Sequence, residues 1–287
     1  MEDINNRKLR GLAEKHGFAR IWFISADLLP DEERAEAGGR CILLLAYSYN
    51  PFDGNEHIPA YYLASNRAYH AFNDFMRDAE DEGISAARSF IRIKPLCEAA
   101  SVGTVCRNGL VDIDGLGTRV VFMAAAADGC EPERYSCKKN ACGGCSECTR
   151  ACPMVAISSK GVDYSRCIRA YMNDADHPDF VKEHLTKYLG CEVCQDVCPR
   201  NGALNVETPS EAARDAFDIQ KLLAGDTKAA RELVGRNKSG NGKLTAEAVV
   251  FASRRDDFRA LAKAAEQSPF EAVKNALLWA KRQRGDK

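Results

Sequence analysis

The sequence predicts an α+β fold with three segments: an N-terminal α/β domain over residues 1–128, a cysteine-rich module over 129–204 and a short α-helical domain over 205–287. Three observations predict this division. Apolar runs typical of strands alternate with a long amphipathic pattern in the first segment. Eight of the 13 cysteines fall between Cys142 and Cys198. The third segment consists of short helical patterns joined by Gly, Asn or Ser turns, which resembles a HEAT-like helical array.

The N-terminal segment has the patterns of a sheet covered by helices. Leu9, Leu12, Ala13 and His16 share one face of a first helix, and Gly17 suits the position after its last turn. Strands are predicted over 19–25, 41–49, 88–93 and 120–127, a long helix over 58–82, and a short helix opened by Pro95. The run over 41–49 is apolar almost throughout, as expected of a strand that is covered on both faces.

The C-terminal segment is predicted to form five helices, over 212–223, 227–234, 244–252, 257–265 and 269–284. No clean repeat period accompanies them. From Asn205 onward there are 16 Lys and Arg residues against 12 Asp and Glu residues, a balance that is compatible with contact to RNA.

Composition excludes some classes of function. The chain has 287 residues, is 45% hydrophobic and carries a formal net charge of −1, so no global field attracts nucleic acid or an anionic membrane. The first residues lack a basic stretch followed by an apolar one, and the longest apolar run, residues 42–47, is too short to span a bilayer. Thirteen cysteines without a secretory signal favour metal ligation over disulfides. We therefore expect a cytoplasmic protein with no membrane segment.

The first cysteine block has the spacing of an iron–sulfur ligand set. It runs through Cys142, Cys145, Cys148 and Cys152 and ends on Pro153, which gives C-x2-C-x2-C-x3-C-P. This is the run that bacterial ferredoxins use to bind a [4Fe–4S] cluster. In two-cluster ferredoxins the fourth cysteine of each run binds the other cluster, because the chain after the third ligand leads away from the first cluster.

The second block completes a count of eight ligands. It contains Cys191, Cys194 and Cys198, followed by a proline, and it lacks the leading cysteine that Cys167 can replace. The predicted first cluster is bound by Cys142, Cys145, Cys148 and Cys198. The predicted second cluster is bound by Cys152, Cys167, Cys191 and Cys194. Structural zinc is the alternative, since paired C-x2-C motifs also build zinc ribbons, but zinc has no use for the x3-C-Pro ending or for a crossed set of eight. The module is thus predicted to be a two-[4Fe–4S] ferredoxin-like domain.

The order of motifs resembles that of the epoxyqueuosine reductases, a family of corrinoid-dependent iron–sulfur enzymes related to reductive dehalogenases. The matching residues are Tyr69-His70, Pro95 with Glu98, Arg107-Asn108-Gly109, Gly117-Thr118-Arg119 and all eight cysteines. The resemblance is strong over 142–199 and patchy before it. It implies a base-off cobalamin held by the N-terminal domain, electrons delivered to it by the clusters from a flavodoxin- or ferredoxin-like donor, and a modified tRNA nucleoside epoxide as the substrate. By the same resemblance Tyr69, Arg107 and Asn108 are expected to bind the cofactor.

The chain departs from the family pattern in its acid–base residues. Arg92 stands three residues before Pro95, where the family has an aspartate thought to donate a proton, and Ala68 replaces an aspartate before the Tyr-His pair. Cys106-Arg107 replaces Gly-Lys. A guanidinium does not release a proton at neutral pH, so Arg92 cannot take over the role of the aspartate.

Three other residues are candidates for proton transfer. His70 lies in the matching Tyr-His pair and titrates in the useful range, although a histidine on a helix surface is an equally good explanation. Asp112 and Asp114 follow the Arg107-Asn108-Gly109 loop, and they are equally well explained as turn residues.

Five further cysteines lie outside the ligand set: Cys41, Cys97, Cys106, Cys130 and Cys137. Cys41 begins an apolar strand and is expected to be buried. Cys97 and Cys106 flank the segment that faces the cofactor in the resembling family.

Two functions from different classes follow. The first is a corrinoid and iron–sulfur reductase similar to the epoxyqueuosine reductases. The second is a two-cluster electron carrier or redox partner that has kept the fold and lost the corrinoid chemistry.

Overall fold

The computed structural model describes residues 3–38, 40–53, 57–139 and 141–285. They pack as two compact units, and each is discontinuous in sequence. The first unit combines residues 1–50, 64–146 and 198–205, and the second combines 51–63, 147–197 and 206–287. The three-segment division drawn from the sequence stays a prediction about domains.

The strands are β1 (Arg20–Ile24), β2 (Cys41–Ser48), β3 (Ala86–Arg88), β4 (Thr104–Val105), β5 (Val111–Asp112), β6 (Val120–Ala127), β7 (Ile157–Ser158) and β8 (Gly161–Val162). The helices are α1 (Ile4–Lys15), α2 (Asp31–Ala37), α3 (Ala60–Asp81), α4 (Ile93–Ala99), α5 (Glu147–Ala151), α6 (Asp179–His184), α7 (Val193–Asp196), α8 (Glu211–Ala216), α9 (Ile219–Leu223), α10 (Lys228–Val234), α11 (Lys243–Ala252), α12 (Phe258–Ala262) and α13 (Glu271–Arg284).

The first unit is built on a four-stranded antiparallel sheet in the order β1-β2-β6-β3. Its central strand β2 is apolar on both faces. Ile42 and Leu44 belong to one core with Trp22 of β1, whereas Leu43 and Leu45 belong to a second core that includes residues of α1 and α3. All four of these β2 residues are fully buried. The expectation of a strand covered on both faces is therefore confirmed.

Several predicted elements differ from those observed. The strand predicted over 88–93 lies earlier, because β3 pairs with β6 only up to Arg88 and the following Phe90 is 83% exposed. A strand continued through Phe90 would have no apolar surface to cover that side chain. The helix predicted over 212–223 is two helices, since the Asp218 carboxylate accepts the amide hydrogens of Gln220 and Lys221, both at 3.0 Å, and begins α9 there.

The second unit has a helical core around α11, every residue of which is buried. Helix α11 packs against α13, α9 and α6. At its centre Glu247, which is fully buried, has one carboxylate oxygen 2.8 Å from Nε2 of His177 and accepts the amide hydrogen of Leu189 at 2.8 Å with the other. The carboxylate thereby fixes the chain just before Cys191 to the helical core.

Among the helices of the described residues, none combines the length and the apolar composition that crossing a membrane requires.

Replacing Glu247 with alanine is expected to lower the free energy of unfolding by about 3 kcal/mol, because it leaves buried donors on His177 and Leu189 without an acceptor. Chemical denaturation measures the change. Glu266→Ala is the matched control, since this exposed glutamate forms an ion pair with Lys281 at 3.5 Å and its loss should cost less than about 1 kcal/mol. Equal losses in the two variants would contradict the structural role of Glu247.

Candidate metal centre

The eight cysteines of the motif are divided between the two units. Cys142, Cys145 and Cys198 belong to the first unit. The second unit contains Cys148, Cys152, Cys167, Cys191 and Cys194. All eight side chains are partly buried, so their sulfur atoms are neither free in solvent nor sealed in an apolar core.

In the first unit, a hairpin holds the segment of Cys142 and Cys145. The turn between β4 and β5 is closed by hydrogen bonds from Gly109 N–H to the Cys106 carbonyl at 2.8 Å and from Cys106 N–H to the Leu110 carbonyl at 2.7 Å. From this turn, the backbone N–H of Arg107 donates to Sγ of Cys142 at 3.3 Å, and the guanidinium donates to the Cys145 carbonyl. One residue thus positions both cysteines.

The same hairpin places a ninth thiol beside the motif. Cys106 is 6% exposed and its thiol lies close to Cys142. Burial raises the pKa of the Cys106 thiol, and the negative charges of Cys142, Asp112 and Cys198 raise it further. Because Cys142 and Cys198 both lie near this thiol, the chain returns at Cys198 to the place where the first block begins. That return is the arrangement a crossed ligand set requires.

Cys198 is held by the short 3₁₀ turn that follows it, Pro199–Asn201. Arg200 donates from Nε to Oδ2 of Asp112 at 3.0 Å, and its Nη2 forms an ion pair with the same oxygen at 2.9 Å. The bonded carboxylate raises the pKa of Arg200. The Asn201 side-chain carbonyl accepts the N–H of Thr118 at 2.7 Å.

A glycine allows the close approach of Asn201 to Thr118. Gly117 has φ +68°, and a Cβ there would lie 2.3 Å from Oδ1 of Asn201 and 2.6 Å from the carbonyl oxygen of Arg200. Both the backbone conformation and the lack of a side chain are therefore needed at this position.

In the second unit, the remaining cysteines surround Cys194. Burial raises the pKa of the Cys194 thiol to about 12, and nearby Cys191, Cys167, Cys148 and Cys152 add to the effect. Burial likewise raises the pKa of Cys191. Crowded, partly buried thiols gain a large stabilisation from iron, which takes the thiolate form.

Backbone amides complete the environment of these sulfurs. The N–H of Ala156 donates to Sγ of Cys152 at 3.3 Å, as the N–H of Arg107 does to Cys142. Hydrogen bonds to cysteine sulfur and partial solvent exposure are two of the factors that set the reduction potential of an iron–sulfur cluster. The donor set therefore fits [4Fe–4S] chemistry. Within the residues that the structure describes, no three His, Cys, Asp or Glu side chains are close enough to share a single metal ion.

The first turn of α3 supports the second cysteine block. Glu192, between Cys191 and Cys194, is 4% exposed and accepts the N–H of Tyr61 at 2.9 Å with its carboxylate. The guanidinium of Arg169 stacks on the rings of Tyr61 and Tyr62 at 4.3 and 4.9 Å. These contacts fix the cysteine loops to a helix rather than to flexible chain.

The structure brings two of the three predicted proton donors together. Asp112, which is 3% exposed, and Asp114, whose side chain is 45% exposed, both form ion pairs with Arg200. His70 is exposed on α3 with its ring against Tyr69 at 5.4 Å. In the described part of the chain no hydrogen bond or ion pair joins His70 to either aspartate. The two carboxylates thus act as acceptors within an ion-pair network.

The residues predicted to bind a cofactor have local partners. The Tyr69 ring is 47% exposed and lies 5.0 Å from the guanidinium of Arg88. Asn108 is buried, and its side-chain carbonyl accepts the N–H of Leu110 at 3.2 Å, which shapes the hairpin turn. Arg107 binds the first cysteine segment, as described above.

Arg92 and the other cysteines also have defined surroundings. Arg92 is exposed and pairs with Glu33 at 2.5 Å. Cys97 is fully buried, and burial raises the pKa of its thiol to about 12, as it does for Cys41. The prediction of a buried Cys41 is confirmed.

Sequence patterns did not reveal the partners that hold the cysteine loops. Arg200 and Asp112 are 88 positions apart, and Asn201 and Thr118 are 83 apart. The only available signal was Gly117-Thr118-Arg119, which the resemblance had singled out without indicating a contact.

Comparison with known proteins supports a two-cluster iron–sulfur module in this chain. Residues 141–201 match the family "4Fe-4S double cluster binding domain", which confirms the prediction of a two-cluster module.

The epoxyqueuosine reductase of Atelocyanobacterium thalassa is 33% identical over 146 residues, which are 46% of this chain and 47% of that protein. The epoxyqueuosine reductase of Leadbetterella byssophila is 27% identical over 179 residues, 56% of this chain and 57% of the relative. This chain resembles the epoxyqueuosine reductases. It spans about half the length of these curated relatives.

Solved epoxyqueuosine reductases share the fold. The Bacillus subtilis structure superposes with a TM-score of 0.72 at 17% identity, covering 96% of this chain and 89% of that one. An epoxyqueuosine reductase with an epoxyqueuosine-modified tRNA-Tyr stem loop superposes with a TM-score of 0.68 at 16% identity, covering 96% and 98%.

The structure predicts that Gly117→Ala displaces the turn after Cys198, because the new methyl group would clash with Asn201 and Arg200. We expect the iron content after anaerobic reconstitution to fall and the free energy of unfolding to drop by about 2 kcal/mol more than in the control. Gly115→Ala is that control: Gly115 has φ +83° but no atom within 4 Å of an added Cβ, so it carries only the backbone strain. Equal iron content in the two variants would contradict the close packing at Gly117.

Proposed function

We propose that this chain is an iron–sulfur oxidoreductase that passes electrons through two [4Fe–4S] clusters, in a reaction of the epoxyqueuosine reductase type. One observation carries the proposal. The similarity to a curated epoxyqueuosine reductase runs over 146 residues, whereas the cluster domain covers only residues 141–201. The likeness therefore extends beyond the cysteine motif, which many unrelated electron carriers share.

The proposed ligands of the first cluster are Cys142, Cys145, Cys148 and Cys198, and those of the second are Cys152, Cys167, Cys191 and Cys194. One observation supports the crossing: Cys106 lies near both Cys142 and Cys198. Cys194 lies near Cys191, Cys167 and Cys152 of its own set and also near Cys148 of the other.

Backbone amides and well-anchored loops of the protein suit both sites to electron transfer. When bound, the clusters supply one-electron reduction and oxidation. The amides of Arg107 and Ala156 donate to cysteine sulfur and stabilise negative charge there. The hairpin turn and the first turn of α3 hold the cysteine loops in place, so that little of the chain must rearrange when the charge changes.

We propose an external flavodoxin- or ferredoxin-like donor, and a modified tRNA nucleoside as the substrate. A solved relative contains such a tRNA stem loop, and residues 205–287 of this chain carry 16 basic against 12 acidic residues. The resemblance to the epoxyqueuosine reductases also implies a bound cobalamin. Of the residues expected to hold it, Arg107 and Asn108 use their polar atoms within the hairpin and the first cysteine segment.

A second candidate function is electron transfer without corrinoid chemistry. It is favoured by the ion pairs of the acid–base residues. Arg92, at the place of the family's proton-donating aspartate, pairs with Glu33, and both Asp112 and Asp114 pair with Arg200. His70 is then the remaining predicted proton donor on the reductase interpretation.

Reconstitution separates these functions. The chain is expressed with hydroxocobalamin, purified and reconstituted without oxygen, and assayed for iron, sulfide and cobalt. About eight irons per chain with bound cobalt supports the reductase. About eight irons without cobalt supports the electron carrier. About four irons, or zinc in place of iron, would contradict the two-cluster assignment.

Ligand substitution tests the crossing. If Cys198 binds the first cluster, Cys198→Ser and Cys142→Ser should leave the same residual cluster, with the same EPR spectrum in the reduced state. Cys152→Ser should leave the other one. Cys137→Ser is the control and should retain both clusters. A residual spectrum of Cys198→Ser that matches that of Cys152→Ser would contradict the crossed assignment.

A further inference from the structure

We propose that the ion pair between buried Asp112 and partly exposed Arg200 is a positioning device for Cys198 that also sets the reduction potential of the first cluster. The inference rests on the proposed function, since it presupposes that cluster. It gives Asp112 a role other than proton donation.

The pair has the geometry of a fixed strut. Asp112 is 3% exposed at the end of β5, and two nitrogens of Arg200 lie 2.9 and 3.0 Å from its Oδ2. This two-point contact, in which both nitrogens meet one carboxylate oxygen, restricts the guanidinium more than a single contact does. Arg200 is two residues after Cys198, within the same turn. Movement of Arg200 therefore carries Cys198 with it.

Neighbouring contacts also hold the turn after Cys198 against the hairpin. Asn201 is bound to Thr118, and both residues are buried. Gly117 leaves no space between the two segments. These contacts bring the turn to the hairpin, and the ion pair then fixes the position of Cys198 within it. Burying the Asp112 carboxylate costs desolvation, which packing alone would not require.

The pair also lies where its charges affect the sulfurs. Asp112 and Arg200 each interact electrostatically with Cys106, whose thiol lies close to both Cys142 and Cys198. Reduction adds an electron to the cluster, so a nearby positive charge favours it and a nearby negative charge opposes it. Asp112 and Arg200 thus have opposing effects on the same potential.

Because the two charges have opposing effects on the potential, substituting each in turn should give shifts of opposite sign. A purely structural role would not produce that pattern. Asp112→Asn removes the negative charge and should raise the midpoint potential of one cluster. Arg200→Gln removes the positive charge and should lower the potential of the same cluster. The double variant should return toward the wild-type value. The midpoint potentials of both clusters are measured by redox titration followed by EPR, alongside iron and sulfide content.

Two controls define the outcome. Asp114→Asn removes an exposed carboxylate at 3.4 Å from the same guanidinium and should shift the potential much less, because solvent screens it. Arg200→Lys keeps the charge and loses the two-point contact, so it should retain a potential closer to the wild type than Arg200→Gln does. If Arg200→Gln fails to fold, the midpoint potential of Arg200→Lys still tests the two-point contact.

Three results would overturn the inference: shifts of the same sign in Asp112→Asn and Arg200→Gln, equal shifts of both clusters, or unchanged potentials with full iron content. Absence of clusters from the wild-type chain would overturn the proposed function along with it. Intact clusters with the wrong pattern of shifts would overturn this inference alone.

Discussion

Crowding of cysteine sulfurs in partly buried surroundings is the constraint on which the rest of this structure depends. Burial and neighbouring sulfurs raise the pKa of the Cys194 thiol to about 12, so the thiolate of this cysteine is unfavourable until iron is bound. The chain meets this constraint with contacts from outside the motif. A hairpin amide donates to Cys142, an ion pair holds the turn after Cys198, and Glu192 fixes the second block to α3.

These anchors also bear on function. The chain places Asp112 and Asp114 around Arg200, and it pairs Arg92 with Glu33. Asp112 and Asp114, which the sequence predicts as proton donors, pair with Arg200 in the turn after Cys198, while His70 stays exposed beside Tyr69. The electron-transfer half of a reductase is thus supported by many contacts, and the proton-transfer half by few. This asymmetry is why an electron carrier is the alternative to an epoxyqueuosine reductase-type enzyme.

Local patterns predicted the parts of the fold that burial dictates. The strand predicted over 120–127 is β6, and the long amphipathic pattern is α3. Cysteine spacing predicted the double-cluster domain, because ligand geometry restricts which spacings work. Helix α2 escaped prediction because its acidic sequence, DEERAEA, has little apolar surface. The Asp112–Arg200 pair could not be predicted either, since two charged residues 88 positions apart leave no periodic signal.

The most direct test of the account is the number of electrons that the reconstituted chain accepts. Two [4Fe–4S] clusters in one chain should take up about two electrons in an anaerobic titration with dithionite, one for each cluster. The absorbance of the oxidised clusters should fall in proportion throughout. Uptake of about one electron, or of none in a chain that has bound metal, would contradict the central claim that these eight cysteines hold two redox-active clusters.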